Sequence, residues 1–299
     1  MSKKGVCVLR EVPRVKYALI SEFCQCYAVR LMCRVMEVSA SGYYRWKQRP
    51  VSLREQRRAE TEAAIMETYE CFKARYGAPR IAQELTASGT PCSVNYVAGI
   101  MRAKDIRARN GKAFKYSRSS EAMTNVADNL LWRQFAAERP NQKWTTDITY
   151  IWVKDRWLYL ATVMDLHSRY IVGWSLDMSM TETLITDALS MAYGRREISP
   201  GLIVHSDRGV QYRSVGYQEY LRSKDCVPSM SRKGNCWDNA PMESFFSRLK
   251  VELVYAECFE SIAAAKSAIF EYIEVFYNRK RRHSALGYLS PVEYERRCA

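Results

Sequence analysis

The chain has 299 residues, 47% hydrophobic and 26% charged, with a formal net charge of +14; that balance leaves room for two or three domains with a core and excludes a disordered chain. Residues 1–140 hold 25 Lys and Arg against 13 Asp and Glu, whereas residues 141–299 hold 21 against 19, so the basic excess belongs to the N-terminal half, as in a region that grips a polyanion. Ten cysteines without a Cys-x-x-Cys pair, beside three histidines, argue against a zinc site, and no apolar run reaches membrane-spanning length, which together fit a reduced cytoplasmic compartment.

Residues 1–14 lack periodicity and read as a flexible lead-in. Val29, Met32, Cys33 and Met36 recur at helical spacing, and Ser39 is placed to cap a second short helix, which gives a helix-turn-helix-like pair. A longer helix is expected over 52–73, with Ala59, Ala63, Met66 and Tyr69 in register. The next pair is the stronger candidate: a helix over 76–85 with Pro79 in its first turn, a turn over 87–91, and a helix from Val94 to Lys104 capped by Ser93. Val94, Val97, Ala98 and Met101 form its inner stripe and leave Asn95, Tyr96, Arg102 and Lys104 outward, as on a helix that reads DNA, although an ordinary helical hairpin has the same pattern. Residues 15–106 thus read as a helical DNA-binding region. A basic linker and connecting helix follow over 107–139, where Arg107 and Arg109 are candidates for phosphate contact.

From residue 140 the period changes. Strands are expected over 143–153 and 156–165, turning at Lys154-Asp155, and over 170–177. A helix over 181–195, a short buried strand over 202–206 and a helix over 215–224 come next. A polar loop over 231–239 leads to helices over 241–254 and 261–278, which makes residues 140–280 a mixed α/β layer architecture. Residues 281–299, with His283, read as a basic C-terminal tail.

Three acids lie where apolar or neutral residues are expected. Asp147 interrupts the first strand and shares a face with Thr145, Thr149 and Ile151. Asp207 closes the apolar run 201–207. Glu243 opens the helix that Asn239 is placed to cap and Pro241 to start, near the positive end of the helix dipole, which favours its ionised form. Met242, Phe245, Phe246, Leu249 and Leu253 form that helix's buried stripe, and Lys250 shares the Glu243 stripe about 10 Å further along. A buried carboxylate needs a proton, a cation or a metal. Three in a basic chain suggest divalent ions acting on a phosphodiester, because magnesium leaves positions open for water and phosphate and two ions about 3.5–4 Å apart serve attacking and leaving oxygens. Salt bridges to nearby Arg or Lys are the alternative for each acid, Asp165 and Asp177 are alternative ligands, and Asp238 reads as a helix-entry residue. His205-Ser206-Asp207 has the residue types of a hydrolase triad, but adjacent strand residues point to opposite faces, so His205 reads as a packing or supporting residue.

Pro140-Asn-Gln-Lys-Trp-Thr-Thr-Asp-Ile-Thr-Tyr150, His205-Ser-Asp-Arg-Gly-Val-Gln-Tyr212 and Asn239-Ala-Pro-Met-Glu-Ser-Phe-Phe246 resemble the integrase-like core of bacterial insertion-sequence transposases. The resemblance is to the type encoded by two overlapping frames, and to its second-frame product, OrfB. Arg75-Tyr-Gly-Ala-Pro-Arg-Ile81, Tyr277–Leu286 and Leu289–Tyr294 carry it too, so it covers about residues 15–297. The spacing agrees, with 59 residues between Asp147 and Asp207, 35 between Asp207 and Glu243, and a basic residue, Lys250, seven positions after the glutamate. It implies a ribonuclease-H-like mixed sheet flanked by helices, preceded by an all-α helix-turn-helix region. It implies Asp147, Asp207 and Glu243 as catalytic metal ligands for two Mg2+ or Mn2+ ions. It also implies cleavage and strand transfer on double-stranded DNA, at the element's terminal inverted repeats and in target DNA. The partners would be the upstream-frame product, fused or separate, and further copies of the chain in a homo-oligomer on DNA, in the bacterial cytoplasm at the nucleoid. No sustained heptad pattern is present for the zipper the first frame usually supplies. Two other functions share these features: a catalytically silent DNA-binding regulator of transposition, and a ribonuclease-H-like nuclease.

Overall fold

Antiparallel strands β1 (Lys143–Val153) and β2 (Arg156–Asp165) form the hairpin that the alternation predicts in the computed structural model, which describes residues 12–49, 52–109, 126–233 and 235–298. β3 (Ile171–Asp177) pairs antiparallel with β2. After helix α7 (Glu182–Arg195), β4 (Ile203–Ser206) returns parallel to β1, and α8 (Val215–Ser223) leads to β5 (Val227–Met230), parallel to β4. The order β3-β2-β1-β4-β5, antiparallel through β1 and parallel beyond it, is the ribonuclease-H-like arrangement. β5 is not among the strands expected. It is four residues long and contains Pro228, which removes a ladder donor and is accommodated because the strand lies at the sheet edge.

One face of the sheet packs on α7 and α8, burying Trp144, Val163, Val172, Ile185, Leu189 and Leu221. Contact with α7 is close at Gly173, where any added Cβ would lie 2.1 Å from the Ala188 carbonyl oxygen. On the other face runs α9 (Ala240–Glu252), which buries Met242, Phe245, Phe246 and Leu249, with Leu253 just beyond, as the stripe predicts. α10 (Ile262–Phe270) continues into a wider π-helical segment, Glu271–Tyr277, whose Tyr272, Ile273, Phe276 and Tyr277 are buried.

The chain divides into two compact units, one ending at Ala64 and one beginning at Ile65. In the first, α1 (Pro13–Phe23), α2 (Val29–Val35) and α3 (Ala40–Gln48) close on Ile20, Cys33 and Tyr43, and the Ser39 hydroxyl accepts from the Gly42 N–H at 3.3 Å as its capping position predicts. α4 (Leu53–Cys71) spans the division. It opens on a reciprocal cap, in which Ser52 Oγ accepts from Glu55 N and Ser52 N donates to Glu55 Oε2, at 3.2 and 3.1 Å.

In the second unit, α5 (Ala78–Ala87) and α6 (Val94–Ala103) make the predicted pair, with Ser93 Oγ accepting from Tyr96 N at 3.2 Å. The inner stripe differs at one end: Val97, Ile100 and Met101 are buried, whereas Val94 is 41% exposed. Val94 opens the helix, and side chains there lean past the N-terminus towards solvent.

Residues 281–298 are folded rather than loose. Buried Arg281 donates from Nε and Nη2 to Glu252 at 3.0 and 2.8 Å, Arg282 pairs with Glu84 at 2.6 Å, and Arg196 pairs with Glu295 in the last helix, α11 (Pro291–Cys298), at 2.9 Å. The sequence pattern saw charges in this segment but not the long-range partners that bury them. Residues 1–11 of the expected lead-in and 110–125 of the expected linker lie outside the described residues; Pro13 and Arg14, also expected in the lead-in, open α1 instead, and 126–139 run as turns and extended chain without a helix. Among the described residues, no helix is long and apolar enough to cross a membrane.

Asp238 is the polar anchor ahead of α9. Fully buried, it accepts from Arg232 N, Nε and Nη2 at 2.9–3.0 Å, from Arg133 Nε at 3.0 Å and from Asn129 Nδ2 at 2.8 Å. The Arg232 side-chain hydrogen bonds, foremost, hold its carboxyl well below the ordinary aspartate value of 3.8. A depressed folded-state value contributes stability that is present above the unfolded value and lost as pH falls through the folded one. Asp238→Asn is therefore expected to destabilise the chain by about 1–3 kcal/mol at neutral pH, since both arginines are partly exposed. The gap should close on acidification below 3.8. Urea unfolding of both proteins across that range measures it, and a gap independent of pH would refute the assignment.

Candidate active site

Pairing between β1 and β4 ends with Thr145 opposite His205. Two residues beyond this pair come Asp147, still within β1, and Asp207, one residue past the end of β4, near enough for the Asp207 charge to act on the Asp147 carboxyl. On β1's other flank Asp147 is paired with Thr162, whose hydroxyl meets Met242 Sδ at 3.2 Å, so α9 crosses this same face and carries Glu243 to it.

Asn239 takes a different part from the one its position predicts. Its side chain makes no helix cap. Instead its Oδ1 accepts from the Thr145 hydroxyl and its Nδ2 donates to the Thr146 carbonyl at 3.4 Å, which fastens the start of α9 to β1 two residues from Asp147. A neighbouring strand with a free hydroxyl outcompetes the helix's own N–H groups, and no local pattern encodes that.

The three acids share one electrostatic field. Burial, first, and then the charges of Asp207 and Glu243 raise the Asp147 carboxyl well above 3.8; Lys250 and the Ile148 N–H, which donates to Asp147 Oδ1 at 2.8 Å, oppose the shift. Asp207 is raised by burial against a 2.8 Å hydrogen bond from the Gly209 N–H to its Oδ1. Burial also raises Glu243, in the direction opposite to the ionised form that its place in the first turn of α9 predicts. Tyr212, buried with its hydroxyl 3.3 Å from Thr146 Oγ1, is held as a neutral phenol by burial and by the Asp147 and Asp207 charges. Tyr212 and Asn239 are the site neighbours that sequence reasoning missed; both lie inside the motifs that carried the resemblance, which was the one available signal.

Lys250 lies two turns along α9 from Glu243, its Nζ 4.7 Å from the centroid of the Tyr150 ring, and burial lowers its pKa while Asp147 resists that. Tyr150, Trp152 and Trp157 continue from it as an exposed aromatic cluster with ring centroids 4.8–5.1 Å apart.

Rival acids have other duties. Asp165 is buried and accepts backbone N–H groups of Asn141 and His167 at 2.8 and 2.9 Å, bracing the turn after β2. Asp177 accepts from Ser179 N at 3.2 Å at an exposed strand end. His205 is buried between Ser229 and Ser231, at 2.8 and 3.1 Å, and burial pushes its pKa down to about 4. Asn95, Tyr96, Arg102 and Lys104 are exposed on or just after α6, and Arg107 is exposed beyond it. Arg109 is half-buried and donates from Nη1 to the Glu252 carbonyl at 2.6 Å.

As a donor set, Asp147, Asp207 and Glu243 fit hard divalent ions: all ligand atoms are oxygen, and their mutual repulsion calls for a cation. Among the described residues, no three His, Cys, Asp or Glu side chains already stand close enough to hold one ion together.

Family models agree with this architecture. An integrase core domain matches residues 137–236, a second integrase core domain model matches 243–298, and an HTH-like domain matches 55–114. The transposase InsF for insertion sequence IS3A of Escherichia coli (strain K12) is 44% identical over 283 residues, covering 94% of this chain and 98% of the relative. An uncharacterized 31 kDa protein of insertion element IS600 from Shigella sonnei is 40% identical over 263 residues, covering 88% and 97%. The magnesium-bound catalytic core of HTLV-2 integrase is similar at 16% identity with a TM-score of 0.39, over 52% of this chain and 97% of that one. With the strand order, the matching integrase core models and this identity over nearly its whole length, the chain belongs to the IS3-type insertion-sequence transposases, built on a ribonuclease-H-like integrase core.

Proposed function

We propose that this transposase cuts and joins DNA strands at the ends of its own element, with Asp147, Asp207 and Glu243 holding two divalent ions, magnesium or manganese. The observation that carries the reading is the crowding of like charge: Asp147 is raised both by burial and by the other two acids. Such ions, when bound, polarise the scissile phosphate and lower the pKa of the attacking hydroxyl. The chain's own residues do the rest. The β1–β4 pairing, which ends two residues short of Asp147 and Asp207, and the Asn239–Thr145 hydrogen bond, which ties the start of α9 to β1, support this reading of the three acids as one set. Lys250, steadied over the Tyr150 ring, offers an ammonium to a strand phosphate next to the carboxylates. The exposed face of α6, with Asn95, Tyr96, Arg102 and Lys104, reads the element end, and Arg107 continues the basic track. Arg109 supports that surface through its bond to the Glu252 carbonyl. Family membership supports the remaining parts of the proposal, the upstream-frame product and further copies of the chain assembled on DNA.

Asp147→Asn, Asp207→Asn and Glu243→Gln are each expected to slow cleavage of a labelled element end at least about a thousandfold, roughly 4 kcal/mol of barrier. Duplex binding should remain within about twofold, because phosphate contacts elsewhere dominate affinity. The metal-free Asp147→Asn protein should also melt about 2 °C or more higher, since a crowded buried charge is gone. A lower melting point together with retained cleavage would sink the ligand assignment.

Lys250→Ala should fold normally and still bind manganese, as read by paramagnetic resonance, yet lose about tenfold or more in single-turnover strand transfer at matched DNA occupancy. Lys250→Arg should recover part of it, since the positive charge persists. Full transfer by the alanine protein would return the residue to the ordinary surface.

On α6, Asn95→Ala should weaken binding to the proper end by about 1–3 kcal/mol while leaving random duplex binding unchanged. Arg102→Ala should reduce that same preference for the end more than it reduces random binding. Anisotropy titrations of both DNAs test this, and equal losses on both for Asn95→Ala would remove it from the reading surface.

A further inference from the structure

A cavity of about 360 Å³ opens on the side of α9 away from the carboxylates. Arg80, Arg169, Arg248, Arg281, His283 and Ser244 supply its polar lining, and no acidic residue does. At 100° per residue, Ser244 and Arg248 fall on a different side of α9 from Glu243 and Lys250, so this cavity and the carboxylates are separated by about one helix diameter, ~10 Å.

Its cations are poorly matched inside the protein. Arg281 is neutralised by Glu252 at 2.8 Å. Among the described residues, Arg80, Arg169 and Arg248 have no carboxylate within ion-pair distance. Arg80 donates from Nε to the Arg282 carbonyl at 2.9 Å, a neutral acceptor. Arg169 is the most telling. Its guanidinium is half-buried with no carboxylate partner among the described residues, and its backbone is left-handed at φ 61°, in the turn between β2 and β3, a conformation that any Cβ disfavours. Both features destabilise the free protein, and among the described residues no carboxylate offsets them. His283, nine-tenths buried, adds an Nε2 with no hydrogen-bond partner. Burial first, and then the charges of Arg281, Arg80 and Arg169, keep that ring neutral, so it can donate one N–H without adding charge.

We propose that this cavity is a binding site for a phosphate group, separate from the carboxylate centre. Donors converge from α5, the β2–β3 turn, α9 and the 281–284 segment, which suits a tetrahedral group with several acceptor oxygens better than a planar carboxylate. The group is either a phosphodiester of bound DNA or a free phosphate anion. In either case it ties four elements together behind the helix that carries Glu243.

The test uses the full chain with Arg169→Gly and Arg248→Ala. Glycine suits the φ of 61°, so Arg169→Gly should melt no lower than the parent. Inorganic pyrophosphate, titrated calorimetrically, should bind the parent and bind each variant about tenfold more weakly. Asp147→Asn should bind it like the parent, which separates this site from the proposed metal centre. If DNA is the source, the slope of log affinity against log salt for a duplex should fall by about 0.9 in each variant. An unchanged slope with lost pyrophosphate affinity identifies free phosphate as the occupant. No change in either quantity, or a loss in Arg169→Gly accompanied by a lower melting point, overturns the proposal.

Discussion

The parallel pairing of β1 with β4 is the constraint on which the rest of the site depends. Three residue pairs of ladder, Lys143 with Ile203, Trp144 with Val204 and Thr145 with His205, set the register of β4 against β1, which itself runs on beside β2 to Val153. Because side chains alternate with a period of two, a slip of one residue would turn one aspartate to the opposite face. Core packing resists that slip: Trp144 and Val204 are both buried in the cluster under α7 and α8, so the register that fills the core is also the register that aligns the acids. Stability and chemistry are specified by the same few residues.

Much of this was legible in the sequence. The hairpin, the short apolar strand and the stripe of α9 follow from periodicity, and Ser39 and Ser93 cap as their chemistry predicts. Legibility fails where a side chain chooses a distant partner over a local one. Asn239 prefers Thr145 to its own helix, and Arg281 and Arg282, which look like solvent-facing charge, are claimed by Glu252 and Glu84. β5 was hidden because an edge strand of four residues needs neither alternation nor a continuous apolar run. Glu243 shows a different limit. The dipole argument holds as local physics, but partial burial of α9 against the sheet adds a desolvation that pushes the Glu243 carboxyl the other way.

The Arg75–Ile81 motif, read first as part of the family resemblance, has a concrete structural duty. Arg75 is buried, stacks over the rings of Tyr272 and Phe276 at 5.3 and 4.6 Å, and donates from Nε to the Glu252 carbonyl at 3.3 Å. The Tyr76 hydroxyl donates to the Lys280 carbonyl at 3.1 Å and accepts from the Arg282 N–H at 2.9 Å. Pro79 opens α5, and Ile81 is fully buried. Arg75, Tyr76 and Ile81 thus fasten α5 to the end of the catalytic core and owe their identity to packing, while Arg80 alone of the motif's side chains lines the cavity proposed to hold phosphate.

Glu252, the last residue of α9, receives hydrogen bonds from both sides of this junction: Arg75 and Arg109 reach its backbone carbonyl, while Arg281 and Tyr272 reach its carboxylate. The α5–α6 pair and the helix bearing Glu243 are thereby bolted to a single residue. Such a joint works as a ruler. On the proposed reading, in which α6 seats itself on a duplex and the three carboxylates serve the cut, the carboxylates would stand at a set offset along the same molecule, and the distance from recognised bases to the bond that is cut would be a dimension of the fold. An element served by this chain would then keep that spacing constant at both ends, even where the intervening base sequence drifts.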